Sequence, residues 1–231
     1  ARAEPGKLSY ASAGIGGTQH LSAEMVKARS KIEIEHIPYK GSGPAQADFL
    51  GGQVPLMVDA NQQWDRPTAQ RMCRIFEQFN LVWIEEPLDA YDHEGHAALA
   101  ATFDTPIATG EMLTSLSEHY DLIRHRAADY LMPDAPRVGG ITPFRKIAAL
   151  AEHAGIALGP HFAMELHVHL GACYATEPWV EHFDWLEPLF NERLETQNGR
   201  MIVPTRPGLG LSLSEQARAW TRETAEVGQR G

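Results

Sequence analysis

The sequence predicts an α/β protein of the TIM-type β/α barrel kind, and three observations predict it. Short apolar runs alternate with amphipathic stretches along most of the chain. Three of the runs end in an acidic residue, Asp59 in Leu-Met-Val-Asp, Glu85 in Val-Trp-Ile-Glu and Glu111 in Ile-Ala-Thr-Gly-Glu, at equal intervals of 85 − 59 = 26 and 111 − 85 = 26 residues. The rhythm then continues to Asp134, 134 − 111 = 23 residues on, and to His161, 161 − 134 = 27 residues further. A strand, a loop, a covering helix and a return loop take about this much chain in a barrel, and functional side chains project from the C-terminal strand ends.

Taken in order, strand-like runs fall at Lys7 to Ser12, Ile32 to Tyr39, Val54 to Asp59, Leu81 to Glu85, Pro106 to Glu111, Tyr130 to Asp134 and Ile156 to His161, with a weaker one near Phe183 to Glu187. The clearest helix lies between the third and fourth. From Thr68 to Phe79, the residues Met72, Ile75, Phe76 and Phe79 recur at helical spacing, Asp65 is placed to cap the N-terminus and Pro67 fits the first turn. Ile147 to Ala154 is a second amphipathic stretch, which Gly155 would stop. The tail holds Met201 to Pro204, a Gly/Pro turn and a polar helix from about Ser214.

Equal spacing sets Asp59, Glu85 and Glu111 side by side on one rim. Three carboxylates in a partly buried cleft repel one another, and an oxygen-preferring divalent ion relieves that repulsion. Asp134 and His161 would stand at neighbouring strand ends, close enough for the carboxylate to orient the imidazole as a general base. Glu181, 181 − 161 = 20 residues further, falls near where an eighth strand should end. Glu86, beside Glu85, is expected to point the other way by strand alternation and is left out of the site. His167 and His169 are two residues apart on a helix-like stretch, hence on different faces, and are not read as a zinc pair.

Composition narrows the partners. The 231 residues are 43% hydrophobic, enough for a substantial core, and the net charge of −10 argues against nucleic acid or an anionic membrane surface as partner. The two cysteines, Cys73 and Cys173, lie in apolar helix-like patterns and are read as small core residues. Without a charged and apolar leader or a run of about 18 apolar residues, a cytoplasmic location is expected.

Four stretches, Asp-Ala-Asn-Gln-Gln-Trp-Asp from Asp59, Trp-Ile-Glu-Glu-Pro-Leu-Asp from Trp83, Pro-Asp-Ala-Pro-Arg-Val-Gly-Gly-Ile from Pro133 and Pro-His-Phe-Ala-Met-Glu from Pro160, resemble the mandelate racemase branch of the enolase superfamily. Within it they are most similar to dehydratases acting on galactarate or talarate. The resemblance implies that Asp59, Glu85 and Glu111 bind Mg²⁺, that Asp134 and His161 form the acid/base dyad, and that Glu181 is a hydrogen-bonding electrophile on the substrate carboxylate. It implies a hydro-lyase whose partner is a dicarboxylate acid sugar; homo-oligomerisation is left open.

The first 54 residues differ. Gly6 to Leu21 and His36 to Ala45 resemble the solute-binding proteins of tripartite tricarboxylate transporters, and that family's Gly-Gly-Gln-Val-Pro-Leu-Met would run through residues 51 to 57. The chain is therefore expected to be a hybrid, with a solute-binding-like fragment over 1–54 and the barrel domain over 55–231. Its barrel would combine six native βα units with a foreign N-terminal βαβα segment. The dehydratase family's second strand supplies a Lys-x-Lys pair, and none occurs in this chain. Lys40 stands only 59 − 40 = 19 residues before Asp59, too few for a covering helix and two loops, and is read as a turn lysine. A Gly-Ile-Gly-Gly-Thr loop from Gly14 resembles an anion cradle. Two alternatives to the dehydratase reading stay open here: a carboxylate-binding module and a non-functional fusion.

Overall fold

The computed structural model describes residues 9–12, 27, 35–38, 55–183 and 185–223. The chain divides into two compact units, Ala1–Met57 with Gln78–Val82, and Val58–Glu77 with Trp83–Gly231. In the first unit, β1 (Ser9–Ser12) and β2 (Glu35–Pro38) pair in parallel, Ser9 opposite Glu35 and Ser12 opposite Pro38. Lys40 and the loop from Gly14 lie outside the described residues.

The second unit is built on a parallel sheet of five strands, β3 (Val58–Asp59), β4 (Ile84–Glu85), β5 (Ile107–Thr109), β6 (Tyr130–Leu131) and β7 (Ala157–Leu158). Spatial order equals sequence order, each strand beside the next, which is the topology of a singly wound barrel arc. The strands are joined by α1 (Arg66–Phe76), α2 (His93–Thr102), α3 (Leu116–Arg124) and α4 (Ile141–Ala154), and α5 (Met164–Gly171) follows β7. β4 and β5 are buried throughout, as sheets covered on both faces require.

Local sequence explains where the helices begin and end. The Asp65 carboxylate accepts the Thr68 N–H at 2.8 Å and Pro67 occupies the first turn of α1, as expected. The buried face of this helix is formed by Ala69 and Cys73, while Ile75 is 45% exposed, so the apolar stripe is rotated from the expected one. Helix α3 opens with a capping box between Ser115 and Glu118. Helix α4 ends at Gly155 in a left-handed conformation, φ 72°, which frees a glycine of the penalty a Cβ would bring. Between α3, α4, β6 and β7 the core is packed by Leu122, Leu131, Phe144, Ile147 and Leu158.

Two expectations are corrected. The run at Phe183 to Glu187 is not a strand; Glu187–Leu189 forms a 3-10 turn with Pro188 in its first positions, and proline cannot donate to a ladder. The described arc therefore carries five strands. Cys173 is exposed rather than in the core, because α5 ends at Gly171 and the chain turns outward; Cys73 is buried as expected. The tail forms an antiparallel hairpin, β8 (Glu195–Gln197) and β9 (Arg200–Ile202), turned by Asn198-Gly199 with φ of 51° and 76°. Helix α6 (Glu215–Trp220) then starts at an N-cap formed by Ser214. No helix among the described residues is long and apolar enough to cross a membrane.

Candidate active site

β3, β4 and β5 deliver the three carboxylates to one end of the sheet. Asp59 and Glu85 close their strands and pair with each other in the ladder. Glu111 follows β5 after Gly110, whose φ is 131° and where a Cβ would meet the Met132 backbone nitrogen at 3.3 Å, so glycine alone fits the turn that leads to Glu111. Beyond β6 and β7 the backbone ladder continues, with Gly159 N–H donating to Leu131 O at 3.0 Å and His161 N–H to Pro133 O at 3.3 Å. That extension carries His161 alongside Asp134.

The two side chains meet. His161 Nδ1 lies 2.9 Å from Asp134 Oδ2, and the other carboxylate oxygen accepts the Arg137 N–H at 2.9 Å. Nε2 of the same ring is 3.5 Å from Glu111 Oε2. Burial alone would raise the Asp134 carboxyl, but the bonds from His161 and the Arg137 amide outweigh it and hold the group below the usual carboxylate range. For His161, burial pulls downward, and the Asp134 bond with the charges of Glu111 and Glu181 more than compensates, so the imidazole is more basic than usual.

The carboxylates are electrostatically coupled. Burial pushes Glu85 up to about 8, against the Trp83 indole N–H that donates to Oε2 at 3.0 Å, and the charges of Asp59, Glu111 and Glu181 add to the rise. Burial also raises Glu111, opposed by His161 and Arg137 and assisted by Asp59 and Glu181. Such a donor set, all hard oxygen, fits Mg²⁺ in its chemistry. It is not gathered around one point: among the described residues no three His, Cys, Asp or Glu side chains converge closely enough to hold an ion. Both oxygens of Asp59 are engaged by Asn61, through its backbone N–H at 2.7 Å and its side-chain amide, and one oxygen of Glu85 by Trp83.

Glu181 lies beside the dyad, where its Oε2 accepts the Phe162 N–H. Its charge is felt by Glu85, Glu111 and His161. Glu86, excluded by strand alternation, belongs with this group. Its φ is 36°, so the extended geometry on which alternation depends ends there, and the side chain is 1% exposed. Burial pushes it up to about 7; a Gln62 hydrogen bond at 2.9 Å opposes, Glu111 and Asp59 add, and His161 lowers. No residue preference in Ile-Glu-Glu-Pro signals this break, since a residue before proline favours extended backbone. His167 and His169 do not form a metal pair: His167 is buried and bonded to backbone, while His169 Nε2 is 3.1 Å from Leu209 O.

The L-talarate/galactarate dehydratase of Salmonella typhimurium is 66% identical over 186 residues, covering 80% of this chain and 47% of that protein. A 3,6-anhydro-alpha-L-galactonate cycloisomerase of Streptomyces coelicolor is 36% identical, over 86% of this chain and 54% of its own. The crystal structure of an L-talarate dehydratase from Polaromonas sp., complexed with Mg and L-glucarate, superposes with a TM-score of 0.76 at 68% identity, covering 98% of this chain and 58% of that one. The chain spans about half the length of the curated relatives it matches. Residues 1–72 match the tripartite tricarboxylate transporter family receptor, and residues 45–217 match the enolase C-terminal domain-like family. Three quarters of the sequence thus falls under one family: the chain belongs to the enolase C-terminal domain-like family.

Proposed function

We propose that this chain carries the metal-binding and proton-transfer part of a Mg²⁺-dependent acid-sugar dehydratase of the talarate/galactarate kind. The observation that carries the reading is the Asp134–His161 pair, 2.9 Å apart, with Nε2 of the same ring 3.5 Å from Glu111. An imidazole held at Nδ1 by a carboxylate has Nε2 left for proton transfer. Similarity to dehydratases, one of them crystallised with Mg and L-glucarate, supports a dicarboxylate acid sugar as the substrate.

Asp59, Glu85 and Glu111 would hold Mg²⁺, which when bound supplies Lewis-acid stabilisation of the charge that develops on a carboxylate as the neighbouring C–H is broken. His161 Nε2 would take the α-proton, or deliver a proton to the departing β-hydroxyl. Asp134 would keep Nδ1 protonated and stabilise the imidazolium. Glu181, with one oxygen on the Phe162 amide, would offer the other, when protonated, to the substrate carboxylate. Loss of the α-proton and the β-hydroxyl as water leaves an enol that tautomerises to a 2-keto-3-deoxy acid. Among the described residues, His161 is the side chain placed for these proton transfers.

The overlap of the two family matches over residues 45–72 supports a junction between a receptor-like fragment, 1–54, and the barrel domain, 55–231. The functional test is formation of a keto-deoxy acid from galactarate or L-talarate with Mg²⁺, followed with a carbonyl reagent. Product is expected from the unaltered chain and none from His161→Asn. Product formation that survives this substitution, or its absence from the unaltered folded chain, would sink the reading.

A further inference from the structure

His167, on α5, takes no part in the chemistry above, yet both of its ring nitrogens are committed to the loops that hold the dyad. Nε2 accepts the backbone N–H of Ala135 at 3.1 Å, and Nδ1–H donates to the carbonyl of Phe162 at 2.7 Å. Ala135 follows Asp134, and Phe162 follows His161. The ring is fully buried and stacks on Phe144, with centroids 5.3 Å apart and planes at 27°. Because the Ala135 amide can only donate, Nε2 must be the lone-pair nitrogen and Nδ1 must carry the proton. Burial depresses the basicity of this imidazole, in agreement with a neutral ring that has one donor and one acceptor.

We infer that His167 is a positioning residue: its imidazole is a rigid strut that ties the Asp134 loop to the His161 loop and thereby keeps the carboxylate and the catalytic imidazole within hydrogen-bonding distance. The inference rests on the reading of Asp134 and His161 as the proton-transfer pair.

The backbone it holds would not keep this shape by itself. Phe162 and Ala163 have φ of 55° and 31°, a left-handed region that costs about 1–2 kcal/mol for each residue with a Cβ. No side chain caps the N-terminus of α5 at Ala163. The Phe162 peptide is held from both sides, its N–H by Glu181 and its C=O by His167. His167 itself is anchored one helical turn on, where its backbone N–H donates to Ala163 O at 2.9 Å. An apolar residue could fill the space against Phe144 but could not join the two loops.

The experiment is NMR on the full chain with ¹⁵N-labelled histidine, without substrate or metal, so its result does not depend on turnover. In the unaltered protein the ¹⁵N shifts should report His167 as the Nδ1–H tautomer, and His161 should show a low-field Nδ1–H resonance from its bond to Asp134. His167→Phe keeps the ring stacking and removes both polar contacts. The low-field His161 resonance should then be lost to solvent exchange, and the Ala135 amide should exchange about tenfold faster, the effect of roughly one net hydrogen bond. His167→Gln, which can restore the acceptor, should recover part of both signals and stands in if the phenylalanine variant does not fold. A folded variant with the His161 resonance unchanged overturns the inference. So does an Nε2–H tautomer or a charged imidazole at His167 in the unaltered protein. Loss of the resonance in a chain that dehydrates no acid sugar would uphold the strut while rejecting the proposed reaction.

Discussion

The Gln62 side-chain amide donates to Glu86 Oε2 at 2.9 Å, while its own oxygen accepts the Ala90 N–H at 3.1 Å. One glutamine on the loop after β3 thus holds the loop after β4, and a backbone bond between the same two residues, Gln62 N–H to Glu86 O at 2.8 Å, reinforces it. The second oxygen of Glu86 is buried with no hydrogen-bond partner. Gln62→Ala would leave the carboxylate without its side-chain donor and should destabilise the fold by about 1–3 kcal/mol, the usual cost of stranding a buried polar group. Urea denaturation of Gln62→Ala, Glu86→Gln and the double variant measures the coupling. Strictly additive effects would mean that the bond contributes nothing.

The carboxylates predict an unusual pH dependence. Burial keeps Glu85 and Glu86 protonated up to about 8 and about 7, whereas the unfolded groups release their protons near 4.5. A raised carboxyl contributes stability that is complete below the unfolded value and lost as pH rises through the folded one. Raised His161 acts in the same sense, and depressed Asp134 acts only at lower pH, below the usual carboxylate range. Buried His96, His119 and His167, whose basicity is depressed, oppose this below about 6.5, so without divalent cations the melting temperature should fall between about pH 6.5 and 8. Mg²⁺ binds the ionised form, so it should offset this fall most at the alkaline end, and Glu85→Gln should weaken the rescue. Thermal melts across this range with and without Mg²⁺ decide the matter; a rescue equal at both ends would show that these carboxylates do not bind the ion.

A half-reaction tests the dyad independently of elimination. In deuterated solvent with Mg²⁺, the α-proton of an acid sugar presented to the His161 face should exchange, as NMR can follow. His161→Asn should abolish the exchange, and Asp134→Asn should reduce it by about 10²–10⁴-fold, the span that a positioned acid/base group contributes. Lys40→Ala should leave it unchanged. Exchange lost with Lys40→Ala but kept in His161→Asn would assign the base to the N-terminal segment instead.

What could be read from the sequence follows from where the barrel fixes geometry. Asp59, Glu85, Glu111, Asp134 and His161 recur with the β/α period, and each stands at or within three residues of a strand end in the folded chain. The period also led to Asp134 beside His161, because parallel neighbours carry their loops side by side. Legibility failed where the backbone leaves regular geometry. Glu86 escaped because alternation stops at a φ of 36°, which no residue-type preference announces. Phe183 and Trp185 suggested a strand through their β propensity, but they stack on each other at 4.6 Å in a segment that leads into the Pro188 turn. The asparagine that engages both oxygens of Asp59 depends on left-handed Asn61, φ 45°, and was equally hidden. Spacing places His167 on one helix face, but its two backbone partners lie 32 and 5 residues away, and only the folded loops bring them to the same ring.

Gly110 links fold and site most directly. Its φ of 131° lies where a side chain is strained, and a Cβ would press on the Met132 nitrogen at 3.3 Å, a backbone atom fixed in the ladder by its bond to Thr109 O at 3.1 Å. Gly110→Ala should therefore cost about 1–3 kcal/mol in stability, as a residue forced into a sparsely populated region does. The strain should also be felt one residue on, because Glu111 takes its direction from this turn, and the Arg137 guanidinium that reaches the Glu111 carbonyl at 2.9 Å must move with it. The variant is expected to melt lower and to gain less from Mg²⁺ than the unaltered chain, whereas Gly155→Ala, strained by φ 72° at the end of α4 away from the carboxylates, should melt lower but keep the full Mg²⁺ increment. Calorimetry on the two variants with and without Mg²⁺ separates a local loss of the site from a general loss of stability. Equal Mg²⁺ increments in both would show that the Gly110 turn supports the fold without aiming Glu111.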